Sequence, residues 1–223
     1  MCLTIAQRIS QLRASLPEGV ELAAVSKFHP VDAISQAYAA GQRIFCESRV
    51  SELEEKVPAL PEDIEWHFIG HVQTNKLRRL VKYADVIQSV DSLRLLSLIN
   101  SEAARINRHI KVLLQAHVAM EETKFGFLPD ELLNLPTDLA DSLTNVTVCG
   151  LMGMASNTDD TTRIDSDFTT LANLFQALRT HSPVASPSFS ILNMGMSDDY
   201  PLAIEHGSNM VRIGTSIFGE REY

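Results

Sequence analysis

The apolar positions of this chain change period repeatedly along its length. Ile5, Ile9, Leu12 and Leu16 fall at i, i+4, i+7 and i+11, which predicts an amphipathic helix over residues 4 to 16. Beyond it, short runs of β-branched and small residues alternate with helical patterns. The runs predict strands near residues 20–26, 43–47, 64–70, 85–90, 111–118, 146–151, 188–193 and 209–213. Helical segments fill most intervals, among them Val31–Ala40, Ser92–Arg105 and Thr162–Leu178. Eight strands joined by helical crossovers require right-handed parallel connections, and eight such units close into a (β/α)8 TIM barrel. A doubly wound open sheet is the competing architecture, but it ordinarily has fewer strands and an early glycine-rich turn. None follows the first strand here. His181 to Ser188, rich in Pro and Ser, reads as a loop before the seventh strand. No linker divides the chain, so residues 1–223 are expected to form one barrel domain with an extra N-terminal helix.

Size and composition agree with this. A length of 223 residues suits one α/β barrel, and 45% hydrophobic content with mean hydropathy near zero is ordinary for a soluble globular protein. The net charge of −9 argues against nonspecific binding to nucleic acid or to an anionic membrane, since both reward a basic surface. No apolar run approaches the roughly 18–20 residues that span a bilayer. The N-terminal residues lack a signal-peptide apolar region. Cys2, Cys46 and Cys149 form no CxxC and suggest no disulfide framework. A cytoplasmic, reduced, monomeric protein is expected.

In a barrel of this kind the site lies at the C-terminal ends of the strands. Reading off those ends gives Lys27, then Glu47 and Arg49, then His71 and Gln73. Asp91, Lys124, Met152, Met194 to Asp198, and Arg212 to Thr215 complete the ring. Lys27 is a lone cation ending a buried run. Burial depresses a lysine pKa, and a lysine tuned that way is a nucleophile toward carbonyls. A lysine snorkelling from a strand end is the other reading. Asn193-Met-Gly-Met-Ser-Asp-Asp199 follows strand seven, and Ser197-Asp-Asp carries residues expected at a helix N-cap. Val211-Arg-Ile-Gly-Thr-Ser216 ends strand eight. Glycines allow close backbone approach, and hydroxyls with nearby amides surround an anion. Together these loops favour phosphate binding over ordinary turns, as is usual after strands seven and eight. Arg212 alternates with Val211 and Ile213, so it faces inward and needs either a structural salt bridge or a ligand atom.

Several motifs resemble the pyridoxal-phosphate homeostasis protein family, single-domain relatives of the alanine racemase barrel. They are Ala24-Val-Ser-Lys27, Trp66-His-Phe-Ile-Gly70 with Gln73-Thr-Asn-Lys76, and Ser89-Val-Asp-Ser92. Gly150-Leu-Met152, Met194-Gly-Met-Ser-Asp-Asp199 and Val211-Arg-Ile-Gly-Thr215 complete them. The likeness runs from the opening helix to Ile217-Phe-Gly219 and Tyr223. It implies pyridoxal 5′-phosphate held as an aldimine on Lys27, with Ser197, Gly214 and Thr215 on the phosphate and Arg212 facing the pyridine nitrogen. Ser48 and Met196 complete the implied cofactor-binding set. Two departures stand out. Phe45-Cys-Glu-Ser-Arg49 has Ser48 where the family usually has asparagine, and Leu192-Asn-Met-Gly-Met-Ser197 has Asn193 where it usually has serine.

The implied role is a non-catalytic carrier in vitamin B6 homeostasis, with pyridoxal-phosphate-dependent apoenzymes as recipients. The rival is a racemase. Alanine racemase takes its second acid/base, a tyrosine, from the partner's C-terminal domain, and this chain ends six residues after Ile217. Tyr38, Tyr83, Tyr200 and Tyr223 have no obvious strand-end position. A barrel enzyme acting on a phosphorylated sugar through a lysine Schiff base is a third class. Among the remaining candidates, His67 and His71 lie about 13 Å apart if extended, too far to share a metal. Cys46 beside Glu47 reads as a packed residue with a raised pKa. Met152, Met154, Met194 and Met196 read as barrel-top packing around a ligand. Lys76, Arg78 and Arg79 read as a solvated helix face, and Asp159-Asp160 as a helix start.

Overall fold

The computed structural model describes residues 3–121 and 125–220. Cys2, Lys124 and Tyr223 lie outside the described residues. Eight parallel strands close into a barrel in sequence order. They are β1 (Glu21–Val25), β2 (Ile44–Glu47), β3 (Glu65–Phe68), β4 (Val86–Val90), β5 (Ile110–Ala116), β6 (Val146–Gly153), β7 (Ile191–Asn193) and β8 (Met210–Ile213). The expected TIM barrel is the observed fold.

The opening helix, Ile5–Ser15, is set by a capping box. Thr4 Oγ1 accepts from the Gln7 amide at 3.3 Å while Gln7 Oε1 accepts from the Thr4 amide at 2.9 Å. Asp160 caps Thr161–His181 by accepting from the Thr162 amide at 3.0 Å, as its sequence predicts. Helix Leu93–Arg105 starts from Ser92, whose hydroxyl accepts from the Leu95 amide at 3.3 Å.

Alternation along the strands sorts the core into two layers. Leu22, Ala24, Phe45, Trp66, Phe68, Ile87, Leu192, Val211 and Ile213 pack outward against the helices. Inside the barrel, Ala23, Val25, Cys46 and Met210 form one small apolar group, and Val86, Leu113, Cys149 and Met152 form another. The interior also holds buried His67, Gln88, Asn193 and Arg212. It is a mixed filling.

Two strands differ from expectation for local reasons. β7 keeps only three of its six expected residues, because the Asn209 side chain takes the place of ladder partners. Its amide accepts from Leu192 N at 2.8 Å and donates to Ser190 O at 2.7 Å. β6 runs to Gly153, two residues further than expected, and remains paired with β5 to its end. Gly150 sits where β7 crosses closest, and a Cβ there would lie 1.8 Å from Ile191 O. Gly150→Ala must push β7 away from β6. Overpacking of this kind typically costs about 1–3 kcal/mol, so a clear fall in the urea midpoint is expected. An unchanged midpoint would show that β6 and β7 separate there without cost.

Candidate functional site

The chain turns sharply after β1. Ser26 and Phe28 are each fixed by side chains of β2 and of the helix Val50–Lys56, and Lys27 stands between them, half-buried. Ser26 Oγ donates to Glu47 Oε1 at 2.6 Å, and Ser26 O accepts from Lys56 Nζ at 3.1 Å. The Phe28 amide donates to Glu52 Oε2 at 2.8 Å, which helps hold Phe28 at φ +68°, a left-handed conformation uncommon outside glycine. Lys56 Nζ ties the group together, 2.8 Å from Glu47 Oε1 and 2.6 Å from Glu52 Oε2. Arg49 lies over the Phe28 ring at 4.4 Å.

Register brings the other candidates to the same end. Ala23 pairs with Arg212 and Ala24 with Ile213, so Val25 stands beside Gly214 and the Lys27 turn beside Thr215. A Cβ on Gly214 would lie 3.2 Å from Val25 O, so glycine keeps these two strand ends close. On the other side of β8, the Arg212 amide donates to Gly195 O at 3.0 Å, which brings the Met194–Asp199 loop level with it. Gly195 has φ +94°, and a Cβ there would meet Ala203 Cβ at 2.7 Å. Thr215 and Ser216 are exposed at the start of a four-residue helical turn, Thr215–Phe218, ahead of its own hydrogen bonds. Lys27, the Met194–Asp199 loop, Arg212, Gly214 and Thr215 therefore share one rim of the barrel. Ser48 follows β2 on the next position round, with its carbonyl so close to Gly70 that a Cβ there would lie 2.2 Å away.

Arg212 points into the interior, as alternation predicts, and is almost wholly buried. Among the described residues it forms no salt bridge there. Nη1 donates to Asn193 O at 3.0 Å and to Asn193 Oδ1, and Nη2 donates to Gly153 O at 2.9 Å. Burial pulls its pKa down to about 10, which leaves it charged at neutral pH. Asp199 Oδ1 accepts from the Met196 amide at 2.6 Å, so that amide is already engaged within its own loop. Burial raises the Asp199 carboxyl, opposed by this bond and by Arg212. Asp199 is the N-cap position of helix Tyr200–Glu205, yet its side chain bonds backwards to Met196.

The remaining strand-end residues separate. His71 stacks on Phe125 at 3.9 Å between centroids, with Asp91 Oδ2 3.6 Å from its Nδ1. His71 and Asp91, with Gln73 and Arg94, border a distinct cleft of about 510 Å³ over β3 and β4. His67 is buried inside the barrel, and no group of three or more His, Cys, Asp or Glu is disposed to hold a metal among the described residues. Cys46 is pushed up to about 12, chiefly by burial, with Arg212 opposing and Glu47 adding to it. The neighbouring carboxylate is thus the lesser cause. Met152 packs inside the barrel, but Met194 belongs to the outer sheet–helix layer and Met196 is exposed, so the methionines do not form one lining.

Glu52 and Lys56 were not legible as site residues, because each is one of many charges on a helical segment. Glu47 was named only by its place at a strand end. Burial pushes Glu47 up to about 7 from 4.5, opposed by Lys56 and Ser26. A group raised on folding contributes stability below its unfolded pKa and loses it as pH rises through the folded value. The native chain should therefore lose stability relative to Glu47→Gln between about pH 4.5 and 7. Urea unfolding of both across that window checks this; a gap that stays flat or narrows the other way contradicts it.

The alanine racemase N-terminal domain family model matches residues 3–222. Pyridoxal phosphate homeostasis proteins are similar over nearly the whole chain. That of Pasteurella multocida is 36% identical, covering 99% of both chains. That of Synechocystis is 40% identical, covering 95% of this chain and 96% of its own. The solved structure of PipY from Synechococcus elongatus with PLP bound superposes with a TM-score of 0.87 at 37% identity, over 97% of this chain and all of that one. Alanine racemase of Clostridium difficile, at 14% identity and a TM-score of 0.78, shares the fold; 99% of this chain matches 57% of that one.

Proposed function

This chain belongs to the pyridoxal phosphate homeostasis proteins of the alanine racemase N-terminal domain family, and from that premise we propose that it binds pyridoxal 5′-phosphate and keeps the free aldehyde low and deliverable. One observation carries the reading: Lys27, Arg212 and two glycine-bearing loops meet on the adjoining strands β7, β8 and β1. An amine, a permanent cation and a pair of hydroxyls are the donor set that a phosphorylated aldehyde needs. When bound, the cofactor supplies an aldehyde and a pyridine ring able to withdraw electrons. Lys27 would hold the aldehyde through its ε-amine. The Ser197 and Thr215 hydroxyls and the Gly214 amide hold the phosphate, with Met196 and Ser48 bordering the ring. In this reading residues 1–223 act as one barrel domain, a cytoplasmic monomer that passes the cofactor to apoenzymes. No helix among the described residues is long and apolar enough to cross a membrane.

Holding is favoured over turnover by the charge of Arg212. Facing the pyridine nitrogen, it disfavours a second positive charge there and leaves the ring a weaker electron sink. Racemisation also needs a second base opposite Lys27. Tyr38 is spent on Asp63, to which its hydroxyl donates at 2.6 Å on the outer face. Tyr83 lies on the outer helix Leu77–Tyr83 beneath Lys82. The expected rate of alanine racemisation is below the roughly 1–10³ s⁻¹ of ordinary enzymes; a rate inside that range would replace the carrier reading with the racemase.

Two further experiments bear on the residues. Borohydride reduction of the loaded protein and peptide mapping should place the pyridoxyl adduct on Lys27, and Lys27→Ala should abolish the visible band. An adduct mainly on another lysine, Lys124 for example, overturns the assignment. Thr215→Val should weaken pyridoxal phosphate by about 1.5–3 kcal/mol while leaving pyridoxal nearly unchanged. Equal losses for both ligands would remove Thr215 from the phosphate site.

A further inference from the structure

Arg212 is the first member of a buried polar chain that crosses the barrel interior. Asn193 Oδ1 accepts from Arg212 Nη1, and Asn193 Nδ2 donates to Gln88 Oε1 at 2.8 Å. Gln88 Nε2 lies 2.6 Å from His67 Nδ1. Among the described residues His67 Nε2 has no hydrogen-bond partner, and it stands 3.8 Å from Glu65 Oε1, near the opposite mouth. Glu65 pairs there with Lys111 at 3.0 Å. Asn193, Gln88 and His67 are all buried, so water does not substitute for a missing partner.

The two ends of this chain give it a direction. A guanidinium only donates, so Asn193 must turn its oxygen to Arg212 and its nitrogen to Gln88. Gln88 must then present its oxygen to Asn193 and its nitrogen to His67. His67 Nδ1 is left as an acceptor, and its ring proton sits on Nε2, toward a carboxylate that only accepts. Reversing either amide alone would set donor against donor or acceptor against acceptor at the Asn193–Gln88 contact.

We propose that Asn193 is the positioning residue for Arg212, and that a one-way hydrogen-bond chain through Asn193 and Gln88 holds His67 as its Nε2–H tautomer. This rests on the reading of Arg212 as the residue facing the cofactor ring. It also gives a physical role to a departure from the family pattern. Serine carries one polar atom, one bond nearer the backbone. Asparagine carries an acceptor and a donor side by side and joins Arg212 to the interior chain. Arg212 is thereby fixed from below by neutral groups, and its charge is left for the ligand.

The test is the protonation site of His67, read from its ring ¹⁵N resonances in the purified full chain and assigned by their loss in His67→Phe. The unsubstituted protein should carry the proton on Nε2. Asn193→Asp keeps an acceptor for Arg212 but removes the donor to Gln88. Gln88 should then reverse, offer its oxygen to His67, and move the ring proton to Nδ1. Gln88→Glu should also protonate Nδ1, and it serves if the first variant does not fold. Protonation at Nδ1 in the unsubstituted protein, or an unmoved proton in the folded variants, overturns the chain. For the positioning role, Asn193→Leu should weaken pyridoxal phosphate binding on the order of tenfold or more, as expected when a charged donor loses its acceptor. Asn193→Asp, which keeps an acceptor for Arg212 but offsets part of its charge, should weaken binding clearly less than Asn193→Leu does. Equal weakening in both variants would reduce Asn193 to packing. Failure of the cofactor reading itself would show differently, as a missing visible band on the unsubstituted protein with the His67 tautomer still as stated.

Discussion

A guanidinium buried inside a closed barrel cannot escape to water, and burial alone does not remove its proton. Much of the upper barrel is arranged around this constraint. Arg212 is satisfied by Gly153 O, Asn193 O and Asn193 Oδ1, all neutral acceptors. A carboxylate bonded in their place would offset the charge directly; these dipoles stabilise it without forming an ion pair. Gly153 supplies its carbonyl because β6 runs on to that residue, and Asn193 ends a β7 that Asn209 has cut short. The C-terminal ends of β6 and β7 thus supply the acceptors that the arginine needs.

Lys27 is supported from a different side. Its neighbours in the chain are held from outside the barrel wall by Glu47, Glu52 and Lys56, a buried ion cluster between β1, β2 and the following helix. Such a cluster is weak evidence of stability, because desolvation offsets most of the attraction. Its worth here is geometric. It fixes Ser26 and Phe28 on either side of Lys27, and it holds Phe28 in a conformation that the residue would not choose alone.

The barrel was legible because its signals are local. Eight apolar runs with helical spacers name the fold, and β-alternation turns Arg212 inward between Val211 and Ile213. The rim residues followed from strand ends, and parallel order made β1 and β8 neighbours. What stayed hidden depends on pairs distant in the chain. Gln88 meets Asn193 across 105 positions, and His67 meets Gln88 across 21. Nothing in the spacing marks Gln88 as more than one polar residue in a strand. Lys56 hides for the opposite reason, among Glu52, Glu54 and Glu55 on a segment that reads as a solvated helix face. The methionines misled because period assigns a residue to a face but says nothing of whether a ligand touches that face. Met194 and Met196 straddle Gly195 at φ +94°, and only Met194 is buried.

The two supports respond differently to pH, and this gives the site an asymmetry. The inner one, as far as Gln88, consists of a permanent cation, two side-chain amides and two backbone carbonyls, none of which titrates near neutrality. The outer one includes Glu47, which burial places at about 7. As pH rises through that value, a second negative charge beside Glu52 must be accommodated behind the Lys27 turn, where Glu47 Oε2 has no hydrogen-bond partner among the described residues. The Arg212 floor keeps its geometry while the Lys27 wall becomes costlier to hold. The turn that carries Lys27 is therefore the pH-sensitive part of the rim, and the floor around Arg212 is the part that the fold fixes.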